Sequence, residues 1–157
     1  MRGWRIAKAD YIDDLSGRGA AIAGGRWNHQ DIPALYLGLS PAICCLETFV
    51  HAGGKPTFPM KIACFALPED PALYDTIDVD ALPPGWNALP ADRPSMDYGS
   101  RWLREKTALG LIVPSAVLPL ERVMVVNPGH PAMGEVTLVE VYDFMYDARM
   151  LRYLESP

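Results

Sequence analysis

Apolar residues along this chain come in short runs punctuated by glycine and proline, and no helical stripe continues for long. The clearest helix predicted is Ser40 to Ala52. Ser40 suits an N-cap, and Pro41 falls at the first helical position, where a missing N–H costs nothing. Ile43, Leu46 and Val50 recur at helical spacing and predict a core-facing stripe. Gly53 and Gly54 stop the helix. Tyr98 to Leu109 predicts a second helix, ended by Gly110, and Asp10 to Leu15 a helical turn. The glycine- and alanine-rich stretch Ser16 to Gly25 reads as a loop, with Arg26 to Asn28 opening the next extended segment. Strand-like runs are Trp4 to Ala7, Ala34 to Leu39, Met60 to Leu67, Leu111 to Val113, Ala116 to Leu118 and Val123 to Val126. Val136 to Phe144 is the strongest of them. Leu82 to Pro94 reads as one long surface loop anchored by Trp86. Strands outnumber helices and do not alternate with them regularly. The expectation is an α+β fold on a mixed or antiparallel sheet, not a doubly wound parallel one.

Composition narrows this further. A chain of 157 residues is expected to form one domain, residues 1–157, burying roughly 70% of its unfolded surface. Its 15 prolines are nearly twice the usual share of about 5%, which excludes a long-helix bundle. The net charge of −5 argues against a nucleic-acid or membrane-surface binder, since either needs a cationic face. The longest apolar stretch, Leu111 to Leu120, is broken by Pro114 and Pro119 and falls short of the ~20 residues of a membrane helix. Met1 to Asp10 has no apolar core of a secretory signal. Three cysteines, two of them adjacent (Cys44, Cys45) and one apart (Cys64), fit a reducing cytoplasm.

Several residues have the chemistry of a site. Gly24-Gly25-Arg26-Trp27-Asn28 sets a guanidinium after two glycines, an arrangement suited to phosphate or carboxylate; the alternative is an Arg paired with a surface carboxylate. Glu47 and His51 share one face of the Ser40–Ala52 helix at i, i+4, either as a working carboxylate with its neighbour or as a solvated pair. Zinc binding by Cys44, Cys45, Glu47 and His51 lacks a second ligand cluster, and a Cys–His hydrolase lacks context, so inert thiols are expected and no metal. Ser115, in Val113-Pro114-Ser115-Ala116, has no G-x-S-x-G elbow and reads as a hydrogen-bond positioner. His130, in Asn127-Pro128-Gly129-His130-Pro131, either caps a turn or touches a ligand. Tyr36 lies where a strand end meets the Ser40 helix. Dinucleotide, P-loop and zinc-protease motifs are missing from the sequence.

In order, these pieces resemble the RES-domain family, the toxin halves of bacterial RES–Xre toxin–antitoxin systems. The matching segments are Trp4-Arg5-Ile6, Gly17 to Ala20, Gly24 to Asn28, Leu35-Tyr36-Leu37, Ser40-Pro41, Leu46-Glu47 with His51, Gly99 to Leu103, Val113 to Ala116, Asn127-Pro128 with His130-Pro131, and Asp147-Ala148-Arg149. The resemblance implies a fold similar to ADP-ribosyltransferase toxins, NAD⁺ as substrate, and an Xre-like antitoxin covering the active site. It implies cleavage of the nicotinamide–ribose bond, either degrading NAD⁺ or passing ADP-ribose to a cellular protein. It places Arg26, Glu47 and Ser115, with Tyr36 alongside, in the catalytic set. Glu47 is expected to stabilise an oxocarbenium-like state, Arg26 to hold the pyrophosphate or ribose end, Tyr36 to pack against nicotinamide or ribose, and Ser115 to fix the carboxylate or a ribose hydroxyl. His51 is expected to orient Glu47, with Arg5, Trp27 and Asn28 as further pocket residues. Two other classes remain: a catalytically silent nucleotide-binding or interaction module, which would bind without turnover, and a toxin acting on RNA, which the charge disfavours.

Overall fold

The structure, a computed structural model, describes residues 1–151 except Gly54, Lys55 and Thr57. Its elements in chain order are β1 (Arg2–Lys8), α1 (Arg18–Ala23), β2 (Leu35–Gly38), α2 (Pro41–Ala52), β3 (Met60–Ala66), β4 (Tyr74–Thr76), α3 (Arg93–Glu105), β5 (Gly110–Pro114), β6 (Arg122–Val126), β7 (Thr137–Phe144) and α4 (Ala148–Leu151). The strands form a seven-stranded sheet in the order β4-β5-β6-β2-β1-β3-β7. β4 pairs with β5 in parallel, and the other neighbours pair antiparallel. The sheet is therefore mixed and the class α+β, as the sequence predicts. No helix among the described residues is long and apolar enough to cross a membrane.

Period-two alternation sends neighbouring side chains to opposite faces. On β6, Met124 and Val126 enter one apolar cluster with Leu35, Leu37 and Phe65. Val125 enters another with Trp27, Trp86, Trp102 and Val113. The central strands are thus covered on both faces, which explains why Val123 to Val126 is apolar without alternation. α3 closes the second cluster. Trp102 Nε1 donates to Asp75 Oδ2 at 2.8 Å, and Asn127 Nδ2 donates to the Leu103 carbonyl at 2.8 Å. These bonds tie the helix to β4 and to the end of β6.

Local signals explain α2. The Ser40 hydroxyl accepts from Ile43 N, Pro41 stands in the first turn, and Gly53 takes the left-handed conformation beyond the last. Val50, however, is exposed rather than core-facing. The predicted loop Ser16 to Gly25 contains α1 instead. Gly17 (φ 72) and Gly24 (φ 74) bracket it, and the alanines between them are strong helix formers. Arg26 to Asn28 is a turn, not an extended segment, with Gly25 and Asn28 bridged across it. α3 begins five residues earlier than Tyr98: Asp92 caps it by accepting from Arg93 N, and Pro94 fits in its first turn. It ends at Glu105, with Lys106 (φ 53) as its C-cap, not at Gly110, which opens β5. The long loop therefore gives up Arg93 and Pro94, while Trp86 is buried in it as an anchor. Ala116 to Leu118 is a turn, and β4 is a strand the sequence pattern does not predict.

Candidate active site

The sheet brings two distant segments together. β2 ends at Gly38, where an added Cβ would lie 2.6 Å from Cys44 N, so α2 rests directly on the strand end. That seating fixes the helix carrying Glu47. From the other side, β5 delivers Ser115 just past Pro114, and Ser115 N donates to the Glu121 carbonyl at 2.9 Å across the β5–β6 turn. Ser115 is fully buried. Its Oγ accepts from Val117 N (3.1 Å) and Leu118 N (2.9 Å) and donates to Glu47 Oε1 at 2.5 Å. Both lone pairs of the hydroxyl are taken by backbone N–H groups, so its single proton points at the carboxylate. Glu47 is held at one oxygen by a group with no freedom to rotate.

Arg26 stands in the Gly25–Asn28 turn. Its Nη1 donates to the carbonyls of Trp86 and Ala88, both at 3.0 Å. Partial burial pushes the guanidinium's pKa down, and Glu47 and then Tyr36 oppose that push. No carboxylate lies within ion-pair distance of Arg26 among the described residues. The expected alternative, a surface ion pair, is not what holds this side chain.

The turn itself is built from inside. Tyr36 Oη accepts from Trp27 N at 3.0 Å and donates to Asn28 Oδ1 at 2.6 Å. Burial raises the phenol's pKa, with the Trp27 N–H and Arg26 opposing. Asn28 Nδ2 donates to the carbonyls of Ala20, His29 and Ile32. Gly25 is required for space: a Cβ there would meet Asn28 Oδ1 and Tyr36 Oη, each at 2.7 Å. Trp27 is 1% exposed and stacks on Trp86, ring centroids 6.0 Å apart. Trp27 and Asn28 therefore direct their groups into the fold and support Arg26 from behind. Replacing Tyr36 by phenylalanine leaves the Trp27 N–H and Asn28 Oδ1 unpaired. We expect a stability loss of about 2 kcal/mol, read by denaturant unfolding, since each orphaned buried group costs roughly 1–3 kcal/mol.

The remaining candidates are placed as follows. His51 is exposed and has no hydrogen bond to Glu47 among the described residues, so the i, i+4 spacing does not become a contact. Arg5 Nη1 donates to the Asp14 carbonyl at 2.6 Å, and burial lowers its pKa against the pull of Asp14. His130 Nδ1 accepts from Ala132 N and caps the short turn after it. Cys44 and Cys64 are buried and Cys45 is half-buried; burial raises all three thiols, Cys44 to about 11. Among the described residues, no three His, Cys, Asp or Glu side chains gather as a metal site. Two surface hollows, one beside Leu103, Arg104 and Asn127 and one beside Phe58, Phe144 and Tyr146, include neither Glu47 nor Arg26.

Sequence reasoning gives no role to four supports of the site. They are the carbonyls of Trp86 and Ala88, the Ser100 hydroxyl that accepts from His29 N at 2.9 Å, and Gly99. A Cβ on Gly99 would lie 2.1 Å from the Trp27 carbonyl oxygen, so α3 presses directly on the Arg26 turn. The Gly-Ser pair inside a helical pattern is the one signal that could have found the last two, because glycine in a helix interior is otherwise costly.

Known proteins are similar to this chain in sequence, and a solved structure is similar in fold. The protein is 38% identical over 154 residues to the Prs ADP-ribosylating toxin of Sphingobium sp., covering 95% of this chain and 96% of that one. It is 32% identical over 152 residues to Toxin Res of Photorhabdus laumondii, with 95% and 96% covered. The fold matches a chain in the crystal structure of the M. tuberculosis MbcT–MbcA toxin–antitoxin complex. The TM-score is 0.68 at 21% identity, over 92% of this chain and 84% of that chain. The RES domain family matches residues 2–147, and the chain belongs to that family.

Proposed function

We propose that this protein is the toxin of a toxin–antitoxin pair, acting as one domain over residues 1–157, and that it cleaves the nicotinamide–ribose bond of NAD⁺. The observation that carries the reading is the Ser115–Glu47 hydrogen bond of 2.5 Å. Family membership and a relative named as an ADP-ribosylating toxin support it.

The chemistry follows from charge. The C1′–N bond of NAD⁺ breaks with its electron pair going to the pyridinium nitrogen, so nicotinamide leaves neutral and needs no proton. Positive charge develops on the ribose as an oxocarbenium-like state. A fixed carboxylate beside it stabilises that charge without having to reorganise. Glu47 fills this role and accepts from the ribose 2′-hydroxyl with its second oxygen. Ser115 keeps Glu47 from turning away, and Arg26 takes the pyrophosphate. Tyr36 supports the Arg26 turn and packs its ring beside the ribose or nicotinamide. Arg5 and His51 shape the surrounding wall, and Trp27 and Asn28 support the Arg26 turn from within the fold. An acceptor on a cellular protein, or water, attacks C1′ and gives up its proton. An Xre-like antitoxin covers the cleft, and the protein works in the cytoplasm.

Incubating the purified chain, freed of antitoxin, with NAD⁺ labelled in the adenylate half tests this. Nicotinamide release with label on protein identifies transfer, and release with free ADP-ribose identifies hydrolysis. Intact NAD⁺ in the presence of water and candidate acceptor proteins overturns the proposal. Binding without turnover would instead mark a silent nucleotide-binding module.

A further inference from the structure

The segment Leu82–Asp92 runs as a strap over the Arg26 turn. Its shape is set locally: Trp86 N donates to the Pro83 carbonyl and Ala88 N to the Gly85 carbonyl, both at 3.1 Å. Gly85 sits at φ 84, a conformation that L side chains rarely adopt. These two short turns aim the carbonyls of Trp86 and Ala88 at one nitrogen, Arg26 Nη1. The strap is fastened by burial. Leu82 and Trp86 belong to the same apolar cluster as Trp27, and the Trp86 ring lies nearly parallel to that of Trp27, at 20°.

The arithmetic of the guanidinium gives this a meaning. Arg carries five N–H groups in one rigid plane. The two on Nη1 are taken by the strap. Among the described residues, Nε and Nη2 have no acceptor within hydrogen-bond distance. That side-on edge is the one that matches two phosphate oxygens as a fork. The strap therefore spends one end of Arg26, locks its plane, and leaves the phosphate-matching edge free.

We propose that Trp86 is a positioning residue for NAD⁺: it holds the strap whose carbonyls orient Arg26, so that the Nε–Nη2 edge alone takes the dinucleotide's phosphates. The inference rests on the proposed NAD⁺ reading. Trp86 touches no reacting atom and acts through Arg26. Contact with the phosphates is the same in ground and transition states, so its loss raises KM and spares kcat. We expect Trp86→Ala to raise KM for NAD⁺ about tenfold, with kcat within about twofold, and Trp86→Phe to keep most of the wild-type value, because a ring still stacks.

The decisive measurement does not need turnover. Side-chain NMR of the wild-type protein should resolve separate Arg26 Nη signals, since two carbonyls hinder rotation of Nη1; the signals are assigned by their loss in Arg26→Lys. Adding ADP-ribose should shift the Nε signal and leave Nη1 in place. Averaged Nη signals in the wild type, or a shift at Nη1 in place of Nε, overturns the inference. So does an unchanged KM in Trp86→Ala, or a Trp86→Ala effect that persists at full size when added to Arg26→Ala. The last result would mark a purely structural role. A wild-type chain that leaves NAD⁺ intact, yet shows the Nε shift with ADP-ribose, overturns the cleavage reading and supports the strap.

Discussion

Replacing Glu47 by glutamine lowers the rate of nicotinamide release by about 10²–10³, the usual loss when one preorganised electrostatic group is taken from a transition state. The substitution is chosen because it changes charge and little else. Glutamine has nearly the same volume, and its amide oxygen still accepts from the Ser115 hydroxyl, which is the bond that seats the side chain at 2.5 Å. Seating, helix and neighbours are kept. What disappears is the negative charge that, on the proposed function, faces the developing oxocarbenium ion. Turnover measured by nicotinamide release should fall while thermal unfolding stays near the wild type. A variant that retains turnover would remove Glu47 from the chemistry. Ser115→Ala gives the useful contrast. It keeps the charge but frees the carboxylate to rotate and strips a partner from Val117 N–H and Leu118 N–H. Its effect therefore appears in stability as well as in rate.

Gly99→Ala destabilises the fold by about 2–3 kcal/mol, in the range of overpacking a well-filled interior. Alanine is the better helix former by roughly 1 kcal/mol, so local propensity alone predicts the opposite sign. The close approach decides the outcome. The new Cβ would lie 2.1 Å from the Trp27 carbonyl oxygen and 2.8 Å from its carbonyl carbon. These are backbone atoms and cannot swing aside. Either α3 lifts from the sheet or the Arg26 turn shifts, and the second also misplaces the guanidinium. A melting temperature lower by about 4–12 °C is expected for a chain of this size, together with weaker NAD⁺ binding. Gly19→Ala is the control within the same molecule. A Cβ at Gly19, in α1, meets nothing within 4 Å, so the propensity gain stands unopposed. Stabilisation there with destabilisation at Gly99 would separate contact from propensity.

α2 was legible because all of its signals are local: a serine cap, a proline at the start and a glycine at the stop lie within one short stretch. The same local logic misled at Ser16 to Gly25, where glycine content masked the alanines of α1, and at Arg93-Pro94, which looks like loop until Asp92 is seen to cap it. β4 carries no pattern of its own. Three residues become a strand because β5 offers a parallel edge. Among the candidate site residues, Arg26, Glu47 and Ser115 are proposed through family resemblance, and spacing alone does not join them. Spacing on one helix pointed to His51 as the partner of Glu47, whereas the partner is a serine 68 positions away. The acceptors of Arg26 were beyond reach in principle. They are backbone carbonyls 60 and 62 positions away, and every residue type supplies one.

The separation between Glu47 and Ser115 also has a consequence in time. The carboxylate emerges from the ribosome first, and the hydroxyl that seats it follows 68 residues later. At a synthesis rate of about 5–20 residues per second, this leaves roughly 3 to 14 seconds in which the chain holds Glu47 without its partner. β6, which stands between β5 and β2, is made later still. Partial chains that stop before β6, including those from broken messages or stalled translation, thus lack the assembled centre. On the proposed function, the hazard exists only once the chain has been made past β6.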